Sequence, residues 1–408
     1  MKALLLAAGY GTRLGPVTHT MPKCLVPIAG TPLLELWLQG LESADVDEIV
    51  INTHHLDEHV RRFLADRPGI KIHVKHEPVL LGTARTLLAA EDLLGSDDFF
   101  VIYADNLTTF DLRRLRSFHG THAEPASILV FRAHDPSQCG VVEVDASGSL
   151  AGFEEKPSSP KSDLCNAGIY LMRPSVFKYC RNLNTTNIAT ALLPRLVGHA
   201  SCLEINEFFL DIGTPANLGV AQRTFPKLRK RRTVPARVVL VDRDGVINRR
   251  VPDGYVLSAR EFTFLDGALD ALRMLQQHGF VTLVVSNQAC IGKKLLSRGA
   301  FLSLNQFWCS RVRSYGGFIS GVYVCPHVPG DFCLCRKPRT GLIERAQADW
   351  GFDSGQTYFI GDSGEDIEAG RNFGCRTILV GAGSGREVRP DSAARSLREA
   401  SDIILEHS

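Results

Sequence analysis

No apolar run in this chain approaches the roughly 20 residues that a membrane-spanning helix requires. The apolar opening MKALLLAA is short and leads into a glycine-rich loop, so it does not read as a secretory leader. Net charge is nearly absent as well. The 46 Lys and Arg residues against 44 Asp and Glu leave +2, which gives no global pull toward nucleic acid or a membrane surface. A disulfide framework is also lacking. Eight of the eleven cysteines are scattered without pattern, which fits a reducing, cytoplasmic setting. What is present, 44% hydrophobic and 22% charged residues over 408 positions, is the composition of a globular chain long enough for two domains.

The remaining three cysteines lie within eleven residues, beside a histidine, as Cys325-Pro-His327, five residues, then Cys333-Leu-Cys335. Three thiolates and one imidazole make a complete tetrahedral zinc set with no open position, which predicts a structural Zn²⁺. Arg336-Lys337-Pro338 follows directly, so the ion would stiffen a loop presenting two cations.

Upstream, Val238–Val241 reads as a short buried strand ending in Asp242, Asp244 and Gly245. Carboxylates at the carboxyl end of a parallel strand sit where open α/β sheets bind ligands. Such a pair can hold a divalent cation, and one member can attack phosphorus. Gly267–His278 has helical spacing, and Val281–Val285 is a strand ending in Ser286-Asn287-Gln288, where a hydroxyl and backbone amides suit a phosphate. Thr357–Ile360 is a further strand, leading into Gly361-Asp362-Ser363 and, one turn on, Asp366. Ser392–Ala400 reads as a short amphipathic helix.

VVLVDRDGVIN with these partner motifs resembles the haloacid-dehalogenase-type phosphatases. The resemblance implies a Rossmann-like fold in which Asp242 becomes an aspartyl phosphate and Asp244 acts as acid, then base. It further implies that Ser286, Asn287 and Lys337 hold the phosphoryl group. Mg²⁺ is implied on Asp242, Asp362 and the backbone carbonyl of Asp244. The C-x-H-x5-C-x-C loop with Arg336-Lys337-Pro338 is similar to the histidinol-phosphate and heptose-bisphosphate branch. Ala289-Cys290, Lys293 and Ser363 depart from the heptose pattern and bear on substrate contacts.

In the first half, Lys2–Ala8 reads as a strand running into Gly9-Tyr10-Gly11-Thr12-Arg13. Glycines let a backbone approach a polyphosphate, and Arg13 adds a permanently charged fork. Leu33–Leu41 is helical, and Glu48–Thr53 and Phe99–Tyr103 are strands, the last leading into Asp105. AAGYGTRLGPVTHTMPKCLVPIAGTPLLE closely resembles the signature of sugar-1-phosphate nucleotidyltransferases, which implies a Rossmann-like domain with a mixed sheet. Carried over residue by residue, Gly9, Gly11, Thr12 and Arg13 would hold a nucleoside triphosphate, and Lys23 would neutralise charge at the α-phosphorus. Gly82 and Thr83 would lie near the base. Gly140 would lie in an acceptor segment, Lys156 would contact the sugar phosphate, and Asn166 would belong to the segment that hydrogen-bonds sugar hydroxyls. Asp105 and Asp211 would hold Mg²⁺. Ala104 departs from the family's usual Gly.

These readings predict an α/β chain of two domains: 1–224 a nucleotidyltransferase, 225–236 a linker, and 237–408 a phosphatase with a zinc loop. The linker region Arg223–Arg232 carries six basic residues with a single aromatic, Phe225, and no nucleic-acid-binding motif beside it, which favours a solvated helix end over a nucleic-acid site. The implied partners are a nucleoside triphosphate, with GTP favoured, and sugar phosphates. Neither nucleic acid nor a membrane is implied, and a homo-oligomer is left open. A heptose 7-phosphatase would make the heptose 1-phosphate that the other domain activates. Heptose activation with ADP generally uses a transferase of another fold with an HxGH-type motif, which this sequence lacks. The alternatives are a hexose-1-phosphate nucleotidyltransferase fused to another small-molecule phosphatase, and a scaffold with one inactive domain.

Overall fold

The computed structural model describes every residue except 66, 68, 184, 231–236, 253, 385–388 and 408. The chain divides into two compact units, Met1–Leu115 with Glu124–Arg232, and Arg116–Ala123 with Thr233–Ser408.

The first unit is built on a mixed sheet, nine-stranded among the described residues. Lys2–Leu6 is its hub, with parallel neighbours Glu48–Thr53 on one side and Phe99–Tyr103 on the other. Lys71–His76 lies beyond Glu48–Thr53, so the first four strands run in the order third, second, first, fourth. Leu164–Met172 then pairs antiparallel with Phe99–Tyr103 and makes the sheet mixed. Leu4, Leu6, Val50 and Val101 share one core cluster, while Ala3, Leu5, Ile49 and Ile51 are equally buried. Burial on both faces explains why the first strand reads as a continuous apolar run. That strand stops at Leu6 rather than Ala8, because the Ala7 amide donates to Asn52 Oδ1 at 2.7 Å and leaves the ladder.

The second unit holds a wholly parallel sheet, six-stranded among the described residues. In spatial order its strands are Gly321–Cys325, Val281–Asn287, Val238–Val241, Tyr358–Ser363, Arg376–Ser384 and Ser392–Ala394. Numbered along the chain this is 3-2-1-4-5-6, the doubly wound order, whose ligand crevice opens where strands 1 and 4 diverge. Val239 and Val241 enter one core cluster, and Val238 and Leu240 the other. The helix Ala268–Gln277 buries Ala268, Ala271, Leu272 and Leu275 against the former.

Two elements differ from the sequence reading. The helix Pro215–Lys230 continues through the start of the predicted linker, whose residues 231–236 lie outside the described residues. At the other end, Ser392–Ala394 is a strand rather than the start of a helix, pairing with Ile378–Val380. The helix begins at Leu397, where the Ser396 side chain accepts from the Glu399 amide. An open sheet edge captures the small residues before the N-cap sets the helix start.

Candidate active sites

In the first unit the glycine-rich loop leaves the end of Lys2–Leu6, and Asp105 follows the end of the adjacent Phe99–Tyr103. Both therefore stand at the switch point of the strand order. Asp211 ends the strand Phe209–Asp211, which pairs with Asn106–Thr108 and sets Asp211 opposite Asn106. Lys23, 8% exposed, bonds both acids: its Nζ lies 2.5 Å from Asp105 Oδ2 and 3.2 Å from Asp211 Oδ1. Arg13 reaches Asp211 Oδ2 at 3.4 Å. Two predicted metal ligands and two predicted phosphate-neutralising cations are thus brought together. Paired carboxylates beside cations form a donor set suited to Mg²⁺ on a polyphosphate.

Gly9 and Thr12 are exposed, with Gly11 between them. Gly82 has φ +84°, and a Cβ there would lie 2.4 Å from Thr186 Oγ1, so only glycine fits. The next hydroxyl, Thr83 Oγ1, accepts from the Ile188 amide at 2.8 Å. Gly140 begins the strand Gly140–Val144. Lys156 is exposed at the end of the opposite strand, with its amide donating to the Cys139 carbonyl at 2.9 Å. Asn166 donates to Tyr170 Oη at 2.7 Å and accepts from the Gly168 amide at 3.1 Å. Its side chain is therefore engaged by protein at both ends.

A buried network not evident from the sequence motifs joins the root of the glycine-rich loop to the segment before Gly82. Glu77, 3% exposed, accepts from Asn52 Nδ2 at 3.0 Å, Thr86 Oγ1 at 2.5 Å and the Leu81 amide at 3.1 Å. Asn52 in turn accepts from Ala7, at the root of the glycine-rich loop. The Asx-like placement of Asn52 at a strand end was the available sequence signal.

In the second unit the carboxyl ends of strands 1, 2 and 4 close on a cavity of about 370 Å³. Asp242, Asp244, Ser286, Lys337 and Asp362 line it, with Arg250, Lys293 and Arg336 also on its wall. Asp242 continues the ladder, its amide donating to the Ile360 carbonyl at 2.9 Å. Gly245 has φ +94°, and a Cβ there would lie 2.0 Å from Asp362 Oδ2, so glycine permits the close approach of the two acidic loops. Lys337, 3% exposed, bonds Asp242 Oδ1 at 2.8 Å and pairs with Asp366 Oδ1 at 2.5 Å. Burial alone would lower the lysine's pKa, but Asp242 and Asp366 outweigh it and raise it. Burial pushes Asp242 up to about 7 against the pull of Lys337, and burial with Asp366 pushes Asp362 up to about 6. Ligand oxygens of Asp242, Asp362 and Asp366 lie within 4.8 Å of one another, a fit for a hard divalent cation.

The Asp244 carboxylate is turned elsewhere. It accepts from Arg243 Nη2 at 2.8 and 3.0 Å, Gln288 Nε2 at 2.7 Å and Asn248 Nδ2 at 2.9 Å. Burial would raise its pKa, but Arg243 and the two amides outweigh that and lower it. Asn287 also lines the cavity and clasps the Lys337 backbone: it accepts from the Lys337 amide at 3.1 Å and donates to its carbonyl at 3.2 Å. Ser286 Oγ accepts from Gln288 Nε2 at 3.0 Å.

The Cys325, His327, Cys333 and Cys335 donor atoms form a compact tetrahedron. Four of its edges are Cys325–His327 3.6 Å, Cys325–Cys333 3.6 Å, His327–Cys335 3.3 Å and Cys333–Cys335 3.6 Å. Thiolates at about 2.3 Å from a central Zn²⁺ give a tetrahedral edge of about 3.8 Å, so the donors fit that ion. The thiols are free, and their separations are far beyond the roughly 2 Å of a disulfide.

Taken with its fold, the first cleft is that of a nucleotidyltransferase, and the second unit sets an acid-lined cleft at the carboxyl ends of a doubly wound parallel sheet. The chain belongs to the nucleotidyl transferase family, which it matches over residues 2–227. Residues 334–404 match the HAD-hydrolase-like family. The mannose-1-phosphate guanylyltransferase catalytic subunit beta of Xenopus tropicalis is 34% identical over 223 residues, covering 53% of this chain and 62% of the relative. The chain thus spans less than two thirds of that relative's length. A Bacillus anthracis structure designated a glucose-1-phosphate thymidylyltransferase, in complex with sucrose, covers 57% of this chain and 97% of its own. It does so at 28% identity with a TM-score of 0.51. The D,D-heptose 1,7-bisphosphate phosphatase of B. bronchiseptica, complexed with magnesium and phosphate, covers 42% of this chain and 99% of its own, at 26% identity and a TM-score of 0.40. Among the described residues no helix is long and apolar enough to cross a membrane.

Proposed function

We propose that the chain is a cytoplasmic bifunctional enzyme of nucleotide-activated heptose synthesis. The second unit removes the 7-phosphate of D-glycero-D-manno-heptose 1,7-bisphosphate. The first unit transfers GMP from GTP to the resulting heptose 1-phosphate and releases pyrophosphate. The observation that carries this reading is the second unit's cavity. Asp242, Lys337, Ser286 and Asp362 line one cavity, a set suited to a phosphoryl group, and Arg250, Lys293 and Arg336 supply further positive charge along the wall. Arg336 Nη1 is buried and unpaired, a donor suited to a second anionic group of the substrate.

In this scheme Asp242 attacks phosphorus, the sugar oxygen leaves with a proton from Asp244, and Asp244 then takes a proton from the hydrolytic water. Lys337 and Ser286 balance the spread charge. Asp242, Asp362 and the Asp244 backbone carbonyl would hold Mg²⁺, which would supply charge neutralisation at the phosphoryl oxygens. In the first unit the attack is in-line, by a sugar-phosphate oxygen on the α-phosphorus. Arg13 and Lys23 neutralise charge there, while Gly9, Gly11 and Thr12 cradle the triphosphate and Gly82 and Thr83 adjoin the base. Gly140, Lys156 and Asn166 line the sugar side, and Asp105 and Asp211 would hold Mg²⁺. The likeness to a guanylyltransferase supports the choice of GTP.

That same likeness, to a protein named for mannose 1-phosphate, favours a second reading in which the sugar is a hexose. A panel of heptose, mannose and glucose 1-phosphates with each of four nucleoside triphosphates separates the two. Heptose 1-phosphate with GTP giving the highest kcat/KM supports the heptose reading, and mannose 1-phosphate doing so overturns it.

A further inference from the structure

Arg243 stands between the two acids of the phosphatase loop, yet its side chain is 1% exposed. It closes a three-membered ring. Arg243 Nη2 donates to both Asp244 oxygens and to Gln288 Oε1 at 3.0 Å, while Gln288 Nε2 donates to Asp244 Oδ2. Asn248 Nδ2 adds a donor on Oδ1. Every one of these contacts presents an N–H to the carboxylate, so the group is held as an acceptor. Cys290 reinforces the ring, its thiol 3.7 Å from Gln288 Oε1. Arg243 Nη1 is buried without a partner, which costs stability and is not offset by any contact of that atom. A guanidinium placed so fully inside, with a donor left over, serves the carboxylate it grips.

We infer that Arg243, with Gln288, is a positioning residue for the hydrolytic half of the phosphatase reaction, orienting Asp244 to accept the proton of the attacking water. In that step the water oxygen forms a bond to the phosphorus of the Asp242 aspartyl phosphate, and one water proton passes to Asp244. The bond from phosphorus to Asp242 breaks, which restores its carboxylate and frees phosphate. The inference rests on the reading of Asp242 as nucleophile and Asp244 as base.

The test uses the full chain with magnesium and p-nitrophenyl phosphate, whose leaving group needs no proton. In Arg243→Met the expected result is a burst of about one p-nitrophenolate per active site, then a kcat about 100-fold below that of the parent. kcat/KM, which reports only steps through leaving-group release, should change by less than about 5-fold. Acid-stable phosphate should be trapped on the protein in equal amount. Asp244→Asn should behave alike. Gln288→Leu keeps the arginine and should show the same split with a smaller loss, and it carries the test if Arg243→Met does not fold. A burst in Asp244→Asn, with kcat and kcat/KM falling together and no burst in the other variants, would overturn the inference alone. Absence of a burst in Asp244→Asn would overturn the underlying reading of the base.

Discussion

At the scale of single residues, the second unit concentrates three carboxylates near one buried ammonium, and burial raises two of them, Asp242 and Asp362. In the proposed scheme Asp242 supplies the attacking oxygen, so Asp242→Asn, which keeps the shape, should lower phosphate release by about 1,000-fold or more. Nucleotidyl transfer by the same protein should be unchanged, which phosphate and pyrophosphate assays on one sample would show. The raised Asp242 and Asp362, at about 7 and about 6, mean that the metal-free folded state binds more protons than the unfolded chain, whose carboxyls titrate near 3.8. These groups therefore favour the folded state at low pH, and that contribution is lost as pH rises through about 7. Magnesium must displace those protons. Its affinity should rise with pH across this window, and the increase in unfolding temperature on adding it should be larger at about pH 8 than at about pH 6. Equal increases at both would contradict the raised values. In the first unit, Glu77→Gln puts an amide donor against the Asn52, Thr86 or Leu81 donors. A loss of about 1–3 kcal/mol is expected on denaturant titration, together with a raised KM for nucleotide and an intact phosphatase. Asp242, Asp244, Lys337 and the glycines were legible because each belongs to a contiguous stretch ending a strand. The roles of Arg243, Gln288 and Glu77 were not, since the networks that bury them also need partners distant in sequence, such as Gln288 for Arg243 and Asn52 for Glu77, which only the folded chain brings together.

At the scale of elements, a zinc ion on Cys325, His327, Cys333 and Cys335 would stiffen one end of the loop that carries Arg336 and Lys337, while Asn287 clasps Lys337 from the neighbouring strand. Replacing Cys333 by Ser, or stripping the ion with a chelator, should release Arg336 and Lys337 and lower phosphatase kcat/KM by about 10-fold or more. Metal analysis of the purified parent should give about one zinc per chain. Full phosphatase activity in zinc-free protein would contradict the loop's role. The spacing of four metal-type ligands in eleven residues made this element readable without a structure. The tail was misread for the opposite reason. Alanine-rich Ser392–Ala394 has no strong strand signature, and its state is decided by a vacant sheet edge beside Ile378–Val380. The helix that follows depends on Ser396 as N-cap, so Ser396→Ala should cost about 1 kcal/mol in chemical denaturation and leave both activities alone.

At the scale of the whole molecule, both units repeat one device: a strand order that reverses beside the first strand, with acids at the carboxyl ends. Continuous apolar runs and the contiguous motifs that end them made both folds legible, whereas Lys293 and Arg250 on the wall of the second cleft follow no local rule. We propose that one chain converts a heptose bisphosphate to a nucleotide-activated heptose. The most direct test incubates purified protein and magnesium with each anomer of D-glycero-D-manno-heptose 1,7-bisphosphate and one nucleoside triphosphate at a time. Phosphate, pyrophosphate and nucleotide-sugar are read separately. Phosphate release followed by equimolar pyrophosphate and GDP-heptose, with GTP alone among the four nucleotides, is the predicted result. No phosphate from either anomer would contradict the account.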